Sequence, residues 1–145
     1  MTITDAKRVL QIVGDLDRLL VDVRDPVLRD ADLTREHWQV LRLLADGQGH
    51  PMGEISAGLG LAGATATRTV DALAQRTLAY RHPDPLDRRR VLIYLGEPGQ
   101  QLLEQVDAAI LDQATTLLDG LNPRERAELV RLLERLATAS NAQSE

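Results

Sequence analysis

Residues 52–95 switch from helical to strand-like patterning around a cluster of glycines, prolines and arginines, and few folds accommodate that order. Over residues 52–77 apolar residues recur at helical spacing, interrupted by Gly58-Leu59-Gly60. Glycine reaches positive φ at little steric cost, so the interruption predicts a tight turn between two helices at helix-turn-helix spacing. In the second of these helices Ala66, Val70 and Leu73 share one face, and Ala64, Thr67, Arg68, Asp71 and Gln75 fall on the opposite one. Residues 79–82 and 91–95 can then pair as strands. Between them Pro83-Asp84-Pro85-Leu86-Asp87-Arg88-Arg89-Arg90 contains two prolines, which forbid helix, and a cationic run at the tip.

The flanking segments are helical. Val9, Ile12, Val13, Leu16, Leu20, Val23 and Val27 make one apolar stripe, which Pro26 is expected to end or kink. Thr34 can cap a second helix running to about residue 45, with Leu33 and Trp38 placed as a hydrophobic staple. Residues 46–51 are dense in turn formers and predict a loop. Leu102, Leu103, Val106, Ile110, Leu117 and Leu121 mark a long helix from near Pro98. Asn122 as cap, Pro123 at the first position and Glu125 at the third open the last helix, whose stripe is Leu129, Leu132, Leu133 and Leu136. The expected fold is mainly α with a small β-hairpin.

Charge is segregated along the chain. The net charge is −5, which taken alone argues against a nucleic-acid partner. Residues 60–95 nevertheless carry six arginines against three aspartates, so a basic segment sits inside an otherwise acidic protein. That arrangement suits a surface aimed at phosphate while the acidic flanks limit indiscriminate binding. A solvated loop kept charged for solubility is the rival reading of the arginine run. For Arg68 the rival is an ion pair with Asp71 or Asp84.

Several chemistries have no foothold. The chain has no cysteine, so disulfides, thiolate metal sites and thiol redox sensing are excluded. Of three serines two lie near the C-terminal end, and there is neither a nucleophile-base-orienter set nor a phosphate-binding glycine loop, so no enzyme is expected. His37, His50 and His82 are too scattered to predict a metal site, and no cofactor is called for. The only aromatics are Trp38, Tyr80 and Tyr94, few for a single-strand or RNA binder that needs stacking platforms. No run approaches the roughly 18 consecutive apolar residues of a membrane span, and a cytoplasmic protein is expected.

The chain resembles the multiple antibiotic resistance regulator (MarR) family, from its first helix to its last. Residues 54–61 look like that family's first helix-turn-helix elements, and Thr65-Ala66-Thr67-Arg68-Thr69-Val70-Asp71-Ala72-Leu73 looks like its recognition helix. Arg81, then Asp87-Arg88-Arg89 followed by Val91, Leu95 and Gly99, reproduces its wing signature. Three positions depart from the family pattern: Ala62 for a capping Ser, Thr77 for the glycine that ends the recognition helix, and Gly96 for a Thr. Altered helix ends are therefore expected, and the lost cap oxygen costs about 1 kcal/mol.

The resemblance implies a winged helix-turn-helix with N- and C-terminal dimerisation helices. On this reading the chain is one domain, with residues 32–96 as the DNA-binding lobe, 5–28 and 97–139 as dimerisation helices, and 140–145 as a fraying polar tail. Thr65, Thr67, Arg68 and Gln75 would contact the major groove. Arg89 would enter the minor groove, Arg88 and Arg90 would be further DNA-binding residues, and Asp87 would orient a neighbouring arginine. The expected function is a homodimeric regulator on a pseudo-palindromic operator of double-stranded DNA, a repressor released by a small aromatic or phenolic effector. Leu16, Leu20, Trp38 and Leu41 are the candidates to line an effector pocket, although apolar residues at helical spacing are more often core. The alternative is a winged-helix protein-interaction module without operator binding, since fold alone does not imply DNA binding.

Overall fold

The structure is a computed structural model and describes residues 3–141. Among these described residues six helices and one hairpin follow in the order α1 (Ile3–Asp30), α2 (Arg35–Leu43), α3 (Met52–Leu59), α4 (Gly63–Gln75), β1 (Ala79–Pro83), β2 (Val91–Leu95), α5 (Glu97–Thr115) and α6 (Pro123–Asn141). Short 3-10 turns, Leu44–Asp46 and Thr116–Leu118, follow α2 and α5. The fold is a winged helix-turn-helix. Two compact units divide the chain, one through Ile110 and the other from Leu111, so the boundary falls inside α5.

In the first unit α1 does not end at Pro26, one of the two outcomes expected there. The helix runs four residues past Pro26, to Asp30. Proline removes the N–H that would bond the Asp22 carbonyl, but both residues are exposed and water can solvate that oxygen. Two residues beyond Pro26, Leu28 is buried in the core and anchors the continuing turn. The apolar residues nearer the start of α1 have no such cover: Val9, Ile12, Val13, Leu16 and Leu20 are all about half exposed.

Helix α2 begins with a reciprocal cap. Thr34 Oγ1 accepts from the His37 N–H at 3.1 Å, and His37 Nδ1 accepts from the Thr34 N–H at 3.1 Å. The sequence reading saw Thr34 but not the part played by His37. Burial, then the charge of Arg76, lowers the His37 pKa, which keeps its acceptor nitrogen free of a proton. The helix ends at Leu43, slightly earlier than expected, because the next turn tightens into a 3-10 turn closed by Gly47 at φ +75°.

Val40, Leu41, Leu44, Ile55, Val70, Leu73 and Ile93 are completely buried and bring α2, α3, α4 and β2 around one core. Burying each such side chain contributes about 1.5–3 kcal/mol relative to leaving it exposed. β1 and β2 pair antiparallel in the register Ala79↔Leu95 to Pro83↔Val91, so Pro83 belongs to the strand rather than to the loop. Ala79 and Ile93 point into the core, while Tyr80 and Tyr94 stack on the other face with centroids 5.4 Å apart. His50, in the loop before α3, adds a bridge to Ile93 through both of its backbone groups.

The helix ends around α4 are altered as the departures at Ala62 and Thr77 imply. Ala62 makes no side-chain cap, and Thr77 takes the left-handed conformation at φ +60°. Gly96 and Gly99 let the next segment close over that turn. A Cβ on Gly96 would lie 2.6 Å from the Thr77 carbonyl oxygen, and one on Gly99 would lie 2.0 Å from that of Leu78.

In the second unit Asn122 Oδ1 accepts from the N–H groups of Arg124 and Glu125 at 2.9 and 3.0 Å, while Glu125 Oε2 accepts from the Asn122 N–H at 2.9 Å. This is the complete start signal expected from the sequence. Helix α6 continues to Asn141, two residues into the segment expected to fray, and residues 142–145 lie outside those described. Val130, Leu132, Leu133 and Leu136 are exposed along it. Among the described residues no helix is long and apolar enough to cross a membrane.

Candidate nucleic-acid interface

Helix α4 presents a small, polar surface at its start. Gly63 and Ala64 are exposed, and Thr67 and Arg68 follow on the outer face. Thr67 Oγ1 donates to the Gly63 carbonyl at 2.9 Å and keeps its lone pairs for an incoming donor. Arg68 reaches Thr65 Oγ1 at 3.4 Å, a weak contact. The carboxylates that could have neutralised it are engaged elsewhere: Asp71 pairs with Arg81, and Asp84 faces Arg90 at 4.0 Å. Gln75 stands apart from this group. Ten residues beyond Thr65, or about 15 Å along the helix, it lines a separate groove with Arg29, Thr34, His37 and Arg76.

The loop between β1 and β2 is built on two aspartates. Asp84 has only 12% of its side chain exposed. Its N–H donates to the Arg90 carbonyl and its Oδ1 accepts from the Leu86 N–H, both at 2.9 Å. Asp87 Oδ1 accepts from the Arg89 N–H at 3.1 Å and from Arg89 Nε at 3.2 Å. Those bonds hold the Asp87 carboxyl below the usual carboxylate range. Arg89 is thus braced at its Nε while 92% of the side chain stays exposed. Arg88 and Arg90 are exposed beside it, and the Arg90 N–H donates to the Asp87 carbonyl at 2.9 Å.

The structure therefore assembles two groups, Thr65 with Thr67 and Arg68 on α4, and Asp87 with Arg88, Arg89 and Arg90 on the loop. Arg81, which the sequence reading noted only as part of the wing pattern, joins β1 to α4 through Asp71. The four apolar pocket candidates are not alike. Leu41 is wholly inside the core, Leu16 and Leu20 are about half exposed on α1, and Trp38 is partly buried with Arg24 and Arg42 guanidinium carbons 5.7 and 4.9 Å from its ring. Trp38 Nε1 also donates to Asp107 Oδ1 at 2.9 Å, a bond no local pattern announces. Among the described residues no group of three His, Asp or Glu side chains is arranged to hold a metal ion.

A sequence model described as MarR family matches residues 31–90, the stretch that holds α2, α3, α4, β1 and the arginine loop. Through this segment, the chain is similar to the MarR family. A MarR family protein from Bacillus stearothermophilus has the same fold, with a TM-score of 0.89 over 97% of this chain and 99% of that one at 21% identity. BpsR of Bordetella bronchiseptica matches with a TM-score of 0.70 at 26% identity, over 89% of this chain and 92% of that one. Its structure is described as showing a mechanism for regulation of its DNA binding by 6-hydroxynicotinic acid. A Thauera aromatica protein assigned as the transcriptional regulatory protein for the hcr operon is 27% identical over 97 residues. That alignment takes in 67% of this chain but only 58% of its relative.

Proposed function

We propose that this protein is a MarR-type dimeric, sequence-specific regulator of transcription that binds double-stranded DNA and is released by a small aromatic ligand. The observation that carries the reading is the braced arginine loop, whose leading strand β1 is paired through Arg81 with Asp71 on α4, the helix with the small, polar start. Helix α4 would lie in the major groove, with Thr65, Thr67 and Arg68 at base edges and phosphates. Arg89 would enter the minor groove, whose negative potential favours a guanidinium where the groove is narrow. Gln75, at the far end of α4, would take at most a peripheral phosphate. Occupancy of an operator near a promoter would block transcription.

Dimerisation is supported by the half-exposed apolar stripe at the start of α1 and by the exposed leucines of α6. Large apolar side chains repeated along helices favour a covering partner, and a second copy related by a twofold axis would present two α4 helices to one face of the duplex. Half-sites about 34 Å apart follow from that symmetry. The ligand reading draws on the BpsR precedent and on the Trp38 surroundings, where a ring stands beside two guanidinium groups.

Fluorescence anisotropy on the duplex upstream of the chain's own gene, over a series of salt concentrations, tests the proposal. Saturable binding stronger than to a scrambled duplex, falling steeply with salt and weakened in Arg89→Ala, is expected. No preference for any duplex after selection from random sequences, with Arg89→Ala equal to wild type, would move the assignment to a protein-contact module.

A further inference from the structure

Leu86, at the tip of the arginine loop, is 96% exposed, more than any other large apolar residue among those described. Exposure of one leucine is ordinary on a protein surface. Here the backbone that presents it is fixed on both sides. The Leu86 N–H is held by Asp84 Oδ1 at 2.9 Å, and Asp84 is itself almost buried. Pro85 locks φ immediately before Leu86, and the bonds from Arg89 and Arg90 to Asp87 close the turn after it. A pinned backbone keeps this side chain directed away from the body of the unit, two and three residues before the exposed Arg88 and Arg89.

One apolar group flanked by guanidinium groups matches a polyanionic surface that also offers hydrocarbon. The minor groove of duplex DNA does so, because phosphates rim it and deoxyribose C–H groups form its walls, about 6 Å apart. An anionic membrane offers both as well, but stable attachment there takes a larger apolar or lipid anchor than a single isobutyl group. The rigid loop and the Asp87 brace on Arg89 also suit a groove of defined width better than a fluid surface.

We infer that Leu86 is a DNA-contacting residue that packs against the sugar wall of the minor groove beside Arg89 and adds affinity without displacing counterions. The inference rests on the DNA-binding reading above and adds a residue and a type of contact to it.

The test measures anisotropy on the preferred duplex at several salt concentrations for wild type, Leu86→Ala, Leu86→Gln and Arg89→Ala. Both Leu86 variants are expected to bind about tenfold more weakly, with the slope of log affinity against log salt unchanged. Arg89→Ala is expected to weaken binding and to reduce that slope by about one. Leu86 variants that bind as wild type does, while Arg89→Ala is weakened, would overturn the Leu86 contact and leave the DNA reading standing. A shallower slope in the Leu86 variants would overturn it too, since the effect would then run through the arginines. Failure of wild type to prefer any duplex would remove the DNA reading and this inference together. Loss of binding to phosphatidylserine vesicles in Leu86→Ala, with duplex binding intact, would assign the tip to membranes instead.

Discussion

Asp71 on α4 and Arg81 on β1 form an ion pair that fastens the helix proposed to read bases to the strand that leads into the arginine loop. Both side chains are at least 39% exposed, so the pair contributes under about 1 kcal/mol to folding. Its larger consequence is orientation. Asp71→Asn also releases the Arg81 guanidinium to meet phosphate, so nonspecific affinity should rise while specific affinity falls. A double-mutant cycle with Arg81→Gln, read as duplex affinity, should show clear non-additivity. Additive losses would mean that the two residues do not act as a unit.

Trp38 links α2 to α5 through its bond to Asp107. Replacing Trp38 by Phe keeps most of the ring and leaves the carboxylate without that donor, at a cost of about 1.5–3 kcal/mol for a hydrogen bond to a charged group. Asp107→Asn retains an acceptor oxygen and should cost less than half as much. Urea unfolding followed by circular dichroism measures both, since Trp38 is the only tryptophan and its fluorescence is lost in the first variant. Equal losses in the two variants would show that the charge of Asp107, not the geometry of the bond, is what matters.

Features specified within a few residues were readable from the sequence, and features made by distant contacts were not. The Asn122 cap, the Gly58-Leu59-Gly60 turn and the hairpin over the arginine run each depend on local chemistry, and each was expected. That α1 does not end at Pro26 depends on the solvent at Asp22 and the burial of Leu28 two residues on, which the missing N–H alone does not announce. The same limit hid the bridge between His50 and Ile93, 43 positions apart, and the bond from Trp38 to Asp107. At the site, Arg68 and the arginines of the loop could be placed by pattern. The Arg81 pairing with Asp71 needed the fold to bring β1 onto α4, and Gln75 shares a helix face with Thr67 without sharing its end of the helix.

Thr77 offers a stabilising substitution. Its φ of +60° is costly for a residue with a branched Cβ, and glycine relieves that strain. Thr77→Gly should raise stability by about 1 kcal/mol in urea unfolding, whereas Thr77→Ala, which keeps a Cβ, should recover little of it. Gly99→Ala is the opposite case, because its methyl group would overlap the Leu78 carbonyl and something in the backbone would have to move. A loss of about 1–3 kcal/mol or more is expected. A neutral Gly99→Ala would show that the start of α5 shifts freely away from β1.

His50 should make the attachment of β2 dependent on pH. Its ring lies between two carboxylates, with Asp46 within 3.0 Å of Nε2 and Glu54 at 3.1 Å from Nδ1. Only the imidazolium can donate to both sides. Burial opposes the charge, but the hydrogen bonds and charges of Asp46 and Glu54 together outweigh it and raise the pKa. A raised histidine pKa gives stability that is fully present below the ordinary value of 6.5 and is lost as pH climbs through the folded value. Asp46 has the opposite sign: the hydrogen bond from His50 lowers its pKa, so its share is present above 3.8 and is lost as pH falls through the lowered value. The clamp is therefore complete between about pH 3.8 and 6.5. His37, lowered by burial, instead favours the fold as pH rises, so the whole protein's pH profile mixes the two. His50→Gln separates them. The difference in urea midpoint between wild type and His50→Gln should be larger at pH 6 than at pH 8.5, and amide exchange at Ile93, whose N–H donates to the His50 carbonyl at 2.9 Å, should follow it. A difference that stays constant across that range would mean that the His50 backbone bridge holds β2 without help from the charge on its ring.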